Sequence, residues 1–180
     1  MRGTIAQDKK SGKGGMGEDV IQLVTFLVGS EEYGLAISGI SEAVRPLKIT
    51  PLPRMPEFVE GVVNLRGVII PIVDLRKRFA LSGAAGNPKK MRILITRGAF
   101  AGMPGRAGEL LGLVVDGVND VLLLPRKDIE PAPQAAMGAN VGFITGVGKT
   151  GDRLIILIEI TKILSQQERS ALAEAENAGS

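Results

Sequence analysis

The sequence predicts an all-β fold built from a duplicated unit, and three observations lead there. Apolar residues make up 44% of the chain, nearly all of them Val, Ile, Leu and Ala, while aromatics reach only 3%. A core of branched aliphatics suits β-structure. The apolar runs, such as VIIPIV and LIILI, have strand length and are punctuated by Gly and Pro at the spacing expected of a barrel or sandwich. The third observation is an internal repeat.

Set Gly61-Val62 over Gly146-Val147, an offset of 85. Ile69, Ile70, Ile72 and Val73 then fall on Leu154, Ile155, Leu157 and Ile158, and Asp74 falls on Glu159, with no gap. The stretch YGLAISGISEAV from Tyr33 lies over LGLVVDGVNDVL from Leu111, and ITPLP from Ile49 lies over IEPAP from Ile129. The blocks keep their order in both copies, so the expected arrangement is two β-units related by a pseudo-two-fold, with a groove between them.

Element by element, strands are expected near 21–28, 33–37, 62–65, 68–73, 91–96, 110–116, 121–124, 144–147 and 154–158. Residues 38–44 read as a helical turn or a bent strand, and 75–79 as one basic turn. Ser165 and Glu168 form a capping box before an alanine-rich stretch, which predicts a helix over 165–175. Residues 99–109, rich in Gly with Pro104, read as a long flexible hairpin loop. Residues 46–56, with four prolines, read as an extended connector between sheets. Pro71 removes a ladder donor, so its strand should be an edge or carry a bulge there.

The domain expectation follows. Residues 1–19 form a disordered basic, Gly-rich tail. Residues 20–165 form the folded unit, with one barrel over about 20–88 and the other over about 89–165. Residues 166–180 form a C-terminal helix and tail.

Composition removes several kinds of chemistry. The chain has no Cys and no His, so it lacks thiol nucleophiles, imidazole bases and the commonest transition-metal ligands. No apolar run approaches the roughly 18–20 residues of a membrane helix, and the N-terminus has no apolar core of a secretory signal. The net charge is +3 although the pI is about 9.3. Beyond residue 19 the surface is mixed, with 18 Lys and Arg against 16 Asp and Glu, unlike a nucleic-acid footprint. No phosphate loop, dinucleotide fingerprint or metal spacing occurs, so neither cofactor nor metal is expected.

Several residues have two readings. Arg66, in Asn64-Leu65-Arg66-Gly67, is either a solvated turn arginine or a guanidinium offered on a rigid turn to a partner's carboxylate. Asp74 and Glu159 could be an enzyme's carboxylate pair, but each ends an apolar strand before a turn, and capping explains Asp74 better than Glu159. Glu42 and Asp120 are repeat partners, either plain surface acids or the rim of the inter-barrel groove. The cluster Arg76-Lys77-Arg78 and the group Lys89, Lys90 and Arg92 hold no aromatics for base stacking and read as solvated faces. Shared positions such as Gly34 and Gly112 encode the common fold. Arg66, which falls on Gly151, marks where the copies diverge. From the residues alone the reading is a non-enzymatic double-barrel interaction protein. A nucleic-acid or membrane-surface barrel and an enzyme using Asp74 or Glu159 are the other readings.

The blocks EEYGL, GVVNLRGVIIPIVDLRKRF, LLGLVVDGVNDVL, DIEPAP and GDRLIILIEITKIL resemble the CheW family, the coupling (adaptor) proteins of bacterial chemotaxis. The resemblance covers about residues 20–175. It implies two SH3-like β-barrels with a hydrophobic interface. It also implies a cytoplasmic scaffold, peripheral to membrane-anchored receptor arrays, that joins chemoreceptor hairpin tips to the regulatory domain of the histidine kinase CheA. By position, it places Ile40, Glu42, Arg66, Gly112, Val118 and Val121 in the receptor-facing groove. Kinase contacts would come from exposed barrel ends and are not assigned to residues.

Overall fold

The computed structural model describes residues 19–83, 86–106, 108–132 and 142–179; nearly all of the predicted N-terminal tail lies outside them. Eleven strands occur among the described residues. In chain order they are β1 (Val20–Val28), β2 (Glu31–Ala36), β3 (Ile40–Val44), β4 (Val59–Leu65), β5 (Val68–Asp74), β6 (Arg92–Arg97), β7 (Leu110–Val115), β8 (Gly117–Pro125), β9 (Ile129–Pro131), β10 (Ile144–Thr150) and β11 (Arg153–Ile158). Helix α1 (Leu75–Arg78) follows β5, and helix α2 (Gln166–Gly179) closes the chain. The predicted capping box forms reciprocally: Ser165 N–H donates to Glu168 Oε1 at 2.7 Å, and Glu168 N–H to Ser165 Oγ at 3.1 Å. The segment that read as a turn or a bent strand holds both, a 3-10 turn (Ile37–Gly39) followed by β3.

The strands form two sheets. One has the order β9-β10-β11-β2-β1-β8, the other β3-β6-β7-β5-β4. The expected division near residue 88 is therefore corrected, because strand pairing does not follow the repeat. β1 and β2, from the first copy, pair into the sheet of β9, β10 and β11. β6 and β7, from the second copy, pair into the sheet of β4 and β5. The two parallel contacts carry the exchange: Tyr33 and Gly34 lie opposite Ile156 and Leu157, while Gly112 and Leu113 lie opposite Ile72 and Val73. The five-stranded barrel thus spans a continuous 40–115, and the six-stranded barrel is assembled from the two flanks.

The shared sequence blocks now have a cause. Thr50 bridges Val62 at the outer edge of β4, and Glu130 pairs with Val147 at the same place on β10. A strand crosses closely there only over a residue without Cβ. A Cβ on Gly61, whose φ is +139, would lie 2.1 Å from the Thr50 carbonyl oxygen, and one on Gly146 would lie 2.9 Å from that of Glu130. The proline-rich connector is consequently an edge segment of β4 and does not cross between sheets. Pro71 lies within β5, but pairing of β5 with β7 begins only at Ile72. Its missing N–H leaves the ladder intact.

Each barrel has its own aliphatic cluster, with Val63, Ile70, Ile72, Ile93 and Ile95 in one and Leu23, Leu124, Ile155 and Leu157 in the other. A third cluster joins them and takes residues from both sheets, including Phe26, Leu35, Leu94, Leu113 and Ile158. The 99–109 segment is not the flexible hairpin expected. Ala99 and Phe100 are fully buried, successive turn bonds run from Ala101 to Glu109, and Arg169 Nη1 donates to the Ala101 carbonyl at 2.7 Å. Two apolar anchors and α2 hold a stretch whose Gly content read as slack.

Candidate interaction site on the barrel rims

The opening between β4 and β5 is a two-residue hairpin turn. Leu65 pairs with Val68, and Arg66 and Gly67 have φ of 52° and 85°. Both central residues are left-handed, as a type I′ turn requires. Asn64 Oδ1 accepts the Gly67 N–H at 2.8 Å and braces the turn. A non-glycine residue held left-handed costs about 1 kcal/mol, so the turn presents Arg66 at some expense to the fold. The Arg66 guanidinium is 68% exposed and ion-pairs with Glu42 on β3.

The sheet order makes this contact informative. β3 and β4 are the two outermost strands of their sheet. A pair between them requires the sheet to curl until its edges meet at the rim. Glu42 stands at the register shift between β3 and β6, and a bulge re-aims a side chain at such a point. Ile40, on the same strand, is half-buried against the shared core.

The other expected residues divide. Val118 and Val121 lie on β8, the edge of the six-stranded sheet, and both are exposed. Gly112 is a correction. It is buried in β7, where a Cβ would meet Ile72 Cδ1 at 2.5 Å and Ile93 Cγ2 at 2.9 Å. It serves the packing of a parallel strand pair and offers no surface, which agrees with its being shared between copies.

The second barrel carries a related rim that residue reading missed. Arg153, at the start of β11, donates to Glu32 Oε2 at 2.6 Å and to Asp120 Oδ1 at 3.1 Å. Thr25 Oγ1 donates to Asp120 Oδ1 at 2.7 Å, and Asn119 to Glu32 at 2.9 Å. The row crosses four adjacent strands: β11, β2, β1 and β8. The Arg153 hydrogen bond is the main cause holding the Glu32 carboxyl below the usual range, against its desolvation. Asp120 is also held low, first by Thr25 and then by Arg153. Asp120 is the repeat partner of Glu42, and Arg153 lies two residues beyond the position matching Arg66. Each barrel therefore pairs an acid of β3 or β8 with an arginine from the hairpin mouth. Exposed apolar side chains adjoin both rims: Val68 and Ile69 follow the Arg66 turn, and Leu154 follows Arg153. The signal available in sequence was Asp120 itself, whose repeat relation called for an arginine near 151.

The remaining candidates resolve locally. Asp74 caps α1, accepting the N–H groups of Arg76 at 2.8 Å and Lys77 at 3.3 Å. Burial is the largest influence on its carboxyl and pushes it up, despite those bonds. Glu159 makes no such cap, and its copy forms only a 3-10 turn (Ile160–Lys162). The two carboxylates sit at the ends of strands in different sheets. Arg76-Lys77-Arg78 is not a solvated face. Arg76 pairs with Asp116 at 3.5 Å, Lys77 with Glu60 at 2.6 Å, and Arg78 with Glu168 at 3.8 Å, and Arg76 and Arg78 are largely buried. Among the described residues no cluster of acidic side chains could hold a metal ion, and no helix is long and apolar enough to cross a membrane.

Comparison with known proteins agrees with this architecture. Residues 22–168 match the family model of the CheW-like domain. The chain is 39% identical over 153 residues to the chemotaxis protein CheW of Klebsiella aerogenes, covering 84% of this chain and 87% of that protein. It is 34% identical over 156 residues to CheW of Treponema pallidum, covering 87% and 89%. The crystal structure of the scaffolding protein TtCheW from Thermoanaerobacter tengcongensis superposes with a TM-score of 0.72 at 35% identity, over 83% of this chain and 96% of that one. Two SH3-like barrels, a repeat with exchanged strands and matches over most of the length agree: the chain belongs to the CheW family of chemotaxis coupling and scaffold proteins.

Proposed function

We propose that this chain is a non-enzymatic adaptor that couples chemoreceptor cytoplasmic hairpin tips to the regulatory domain of CheA and so adjusts the kinase's activity. The observation that carries the reading is the rim itself. A strained turn presents Arg66, held by Glu42, while exposed Val118 and Val121 stand on the edge strand of the other barrel. An apolar strip with a charged anchor is the chemistry that receives one face of an amphipathic helix. Ile40, half-buried on the same strand as Glu42, adds an apolar side chain to the reading. Kinase contacts are unassigned at the residue level.

On this reading the protein works in the cytoplasm, beside membrane-anchored receptors. Its mechanism is assembly: a signal passes when the partner interfaces differ in strength between receptor states. The internal pairing of Arg76, Lys77 and Arg78 weighs against a nucleic-acid barrel.

The test is a titration of the full chain with a receptor hairpin fragment and, separately, with a CheA regulatory domain, beside Arg66→Glu. The expected result is that wild type binds both and the variant loses only the receptor fragment. Failure of wild type to bind either fragment overturns the reading.

A further inference from the structure

The chain has five Phe, one Tyr and no Trp, and neither barrel's own cluster contains any of them. They gather at the joint. Phe26 stacks near Tyr33 at 6.1 Å between ring centroids, Tyr33 meets Phe79 at 4.8 Å, and Phe79 meets Phe143 at 5.0 Å. Phe143 and Phe58 then flank the guanidinium of Arg78, at 5.1 and 4.9 Å.

Phe58 and Phe143 are the same position of the repeat, 85 residues apart. Their backbones confirm it: Asp74 N–H donates to the Phe58 carbonyl at 2.8 Å, and Glu159 N–H to the Phe143 carbonyl at 2.9 Å. The residue 85 positions beyond Arg78 is Ile163, and Arg78 Nε donates to the Ile163 carbonyl at 3.0 Å. One arginine therefore touches both members of an equivalent aromatic pair and its own equivalent. Its guanidinium lies on the pseudo-two-fold axis. Only one such group fits there, so the second copy holds an apolar residue and supplies a carbonyl.

Apolar burial is non-directional. Two aliphatic barrels pressed together fix their contact area but leave their mutual rotation weakly determined. A planar guanidinium set over two rings, with a directed N–H bond, fixes direction as well. We infer that Arg78 is a positioning residue that sets the mutual orientation of the two barrels, and thereby holds the Arg66 rim of one and the β8 edge of the other in register for a common partner. The orientation part stands on this geometry alone; the partner part rests on the adaptor reading above.

The experiment uses the full chain with Arg78→Met, Arg78→Lys and Phe143→Leu. Residual dipolar couplings give each barrel's alignment independently. Wild type is expected to need one alignment tensor for both barrels. Arg78→Met is expected to need two, while each barrel keeps its own hydrogen-exchange pattern. Arg78→Lys retains the cation over the rings and is expected to lie between. If Arg78→Met fails to fold, the same comparison is read from Arg78→Lys and Phe143→Leu. A single wild-type tensor in the folded variants, with only stability lowered, overturns the inference and leaves Arg78 as core packing. Receptor-fragment affinity should fall about tenfold in Arg78→Met although no rim residue is altered, a change within the usual range of coupling between sites. Wild type failing to bind the fragment defeats the adaptor reading, and the dipolar couplings still decide the orientation.

Discussion

Glu42 and Arg66 are ion-paired although their strands are the opposite edges of one sheet. The pair is exposed, so its loss should change stability by no more than about 1 kcal/mol. Its proposed importance is for presentation. Arg66→Glu should weaken receptor-fragment binding about tenfold or more, the scale of an interface arginine. The double variant Glu42→Arg/Arg66→Glu separates two roles. Recovery of binding would show that the closed rim matters. Absence of recovery, with the fold intact by circular dichroism, would show that the partner contacts the guanidinium directly.

Glycine substitutions should grade by what a new Cβ meets. At Gly61 it meets backbone that cannot yield, at a φ no other residue favours. Gly61→Ala should cost about 3 kcal/mol or more, or prevent folding. At Gly112 it meets methyl groups of two isoleucine side chains, an overpacking of about 1–3 kcal/mol. Urea titration measures both. Gly112→Ala should keep its affinity for the receptor fragment wherever it remains folded, since its site is core.

Asp74 gives a test of the capping reading. Asn caps as well as Asp, while Ala removes the cap at about 1 kcal/mol. Burial raises the Asp74 carboxyl. A folded value above the unfolded one weakens the fold once pH exceeds the unfolded value. Asp74→Asn should therefore be at least as stable as wild type at neutral pH, and Asp74→Ala less stable. The order is checked by thermal unfolding at pH 7 and again at pH 4, where the advantage of Asn should shrink.

The lone tyrosine reports on the joint between barrels. Burial, aided by Glu31, pushes the Tyr33 hydroxyl from 10.0 up to about 12. The folded state holds that proton more tightly than the unfolded state, so stability is lost as pH rises from about 10 toward 12. Tyrosinate absorbance should appear only near pH 12 or together with unfolding. Tyr33→Phe should flatten the alkaline loss. Absorbance rising at pH 10 in folded protein would show that Tyr33 is not sealed in the joint.

Much of this was legible in the chain because duplication supplies its own comparison. The matched blocks at Gly61 and Gly146, and at Tyr33 and Leu111, located the fold's recurring close contacts. The capping box at Ser165 formed as written. The turn at Arg66-Gly67 was visible because only left-handed backbone suits that pair of strands. Strand exchange was not legible. A repeat states which segments are alike, and pairing depends on contacts far apart in sequence. Nor could local composition show that Phe100 buries a Gly-rich segment, or that Arg78 in a basic run turns inward. Gly112 was placed at the groove through the family resemblance, although its sharing between copies already argued for a packing role.

The exchange of β1–β2 for β6–β7 has a consequence for how such a molecule can be taken apart. Cutting the chain between its two copies severs neither barrel cleanly. The first half would hold three strands of the five-stranded sheet and two of the other, the second half four strands of the six-stranded sheet and two of the other, with both parallel contacts broken. A solitary half could complete a barrel only by trading its first hairpin with a second half, which makes it an obligate swapped dimer. The single chain is the covalent equivalent of such a dimer, with the linkage converting an encounter between molecules into an internal closure.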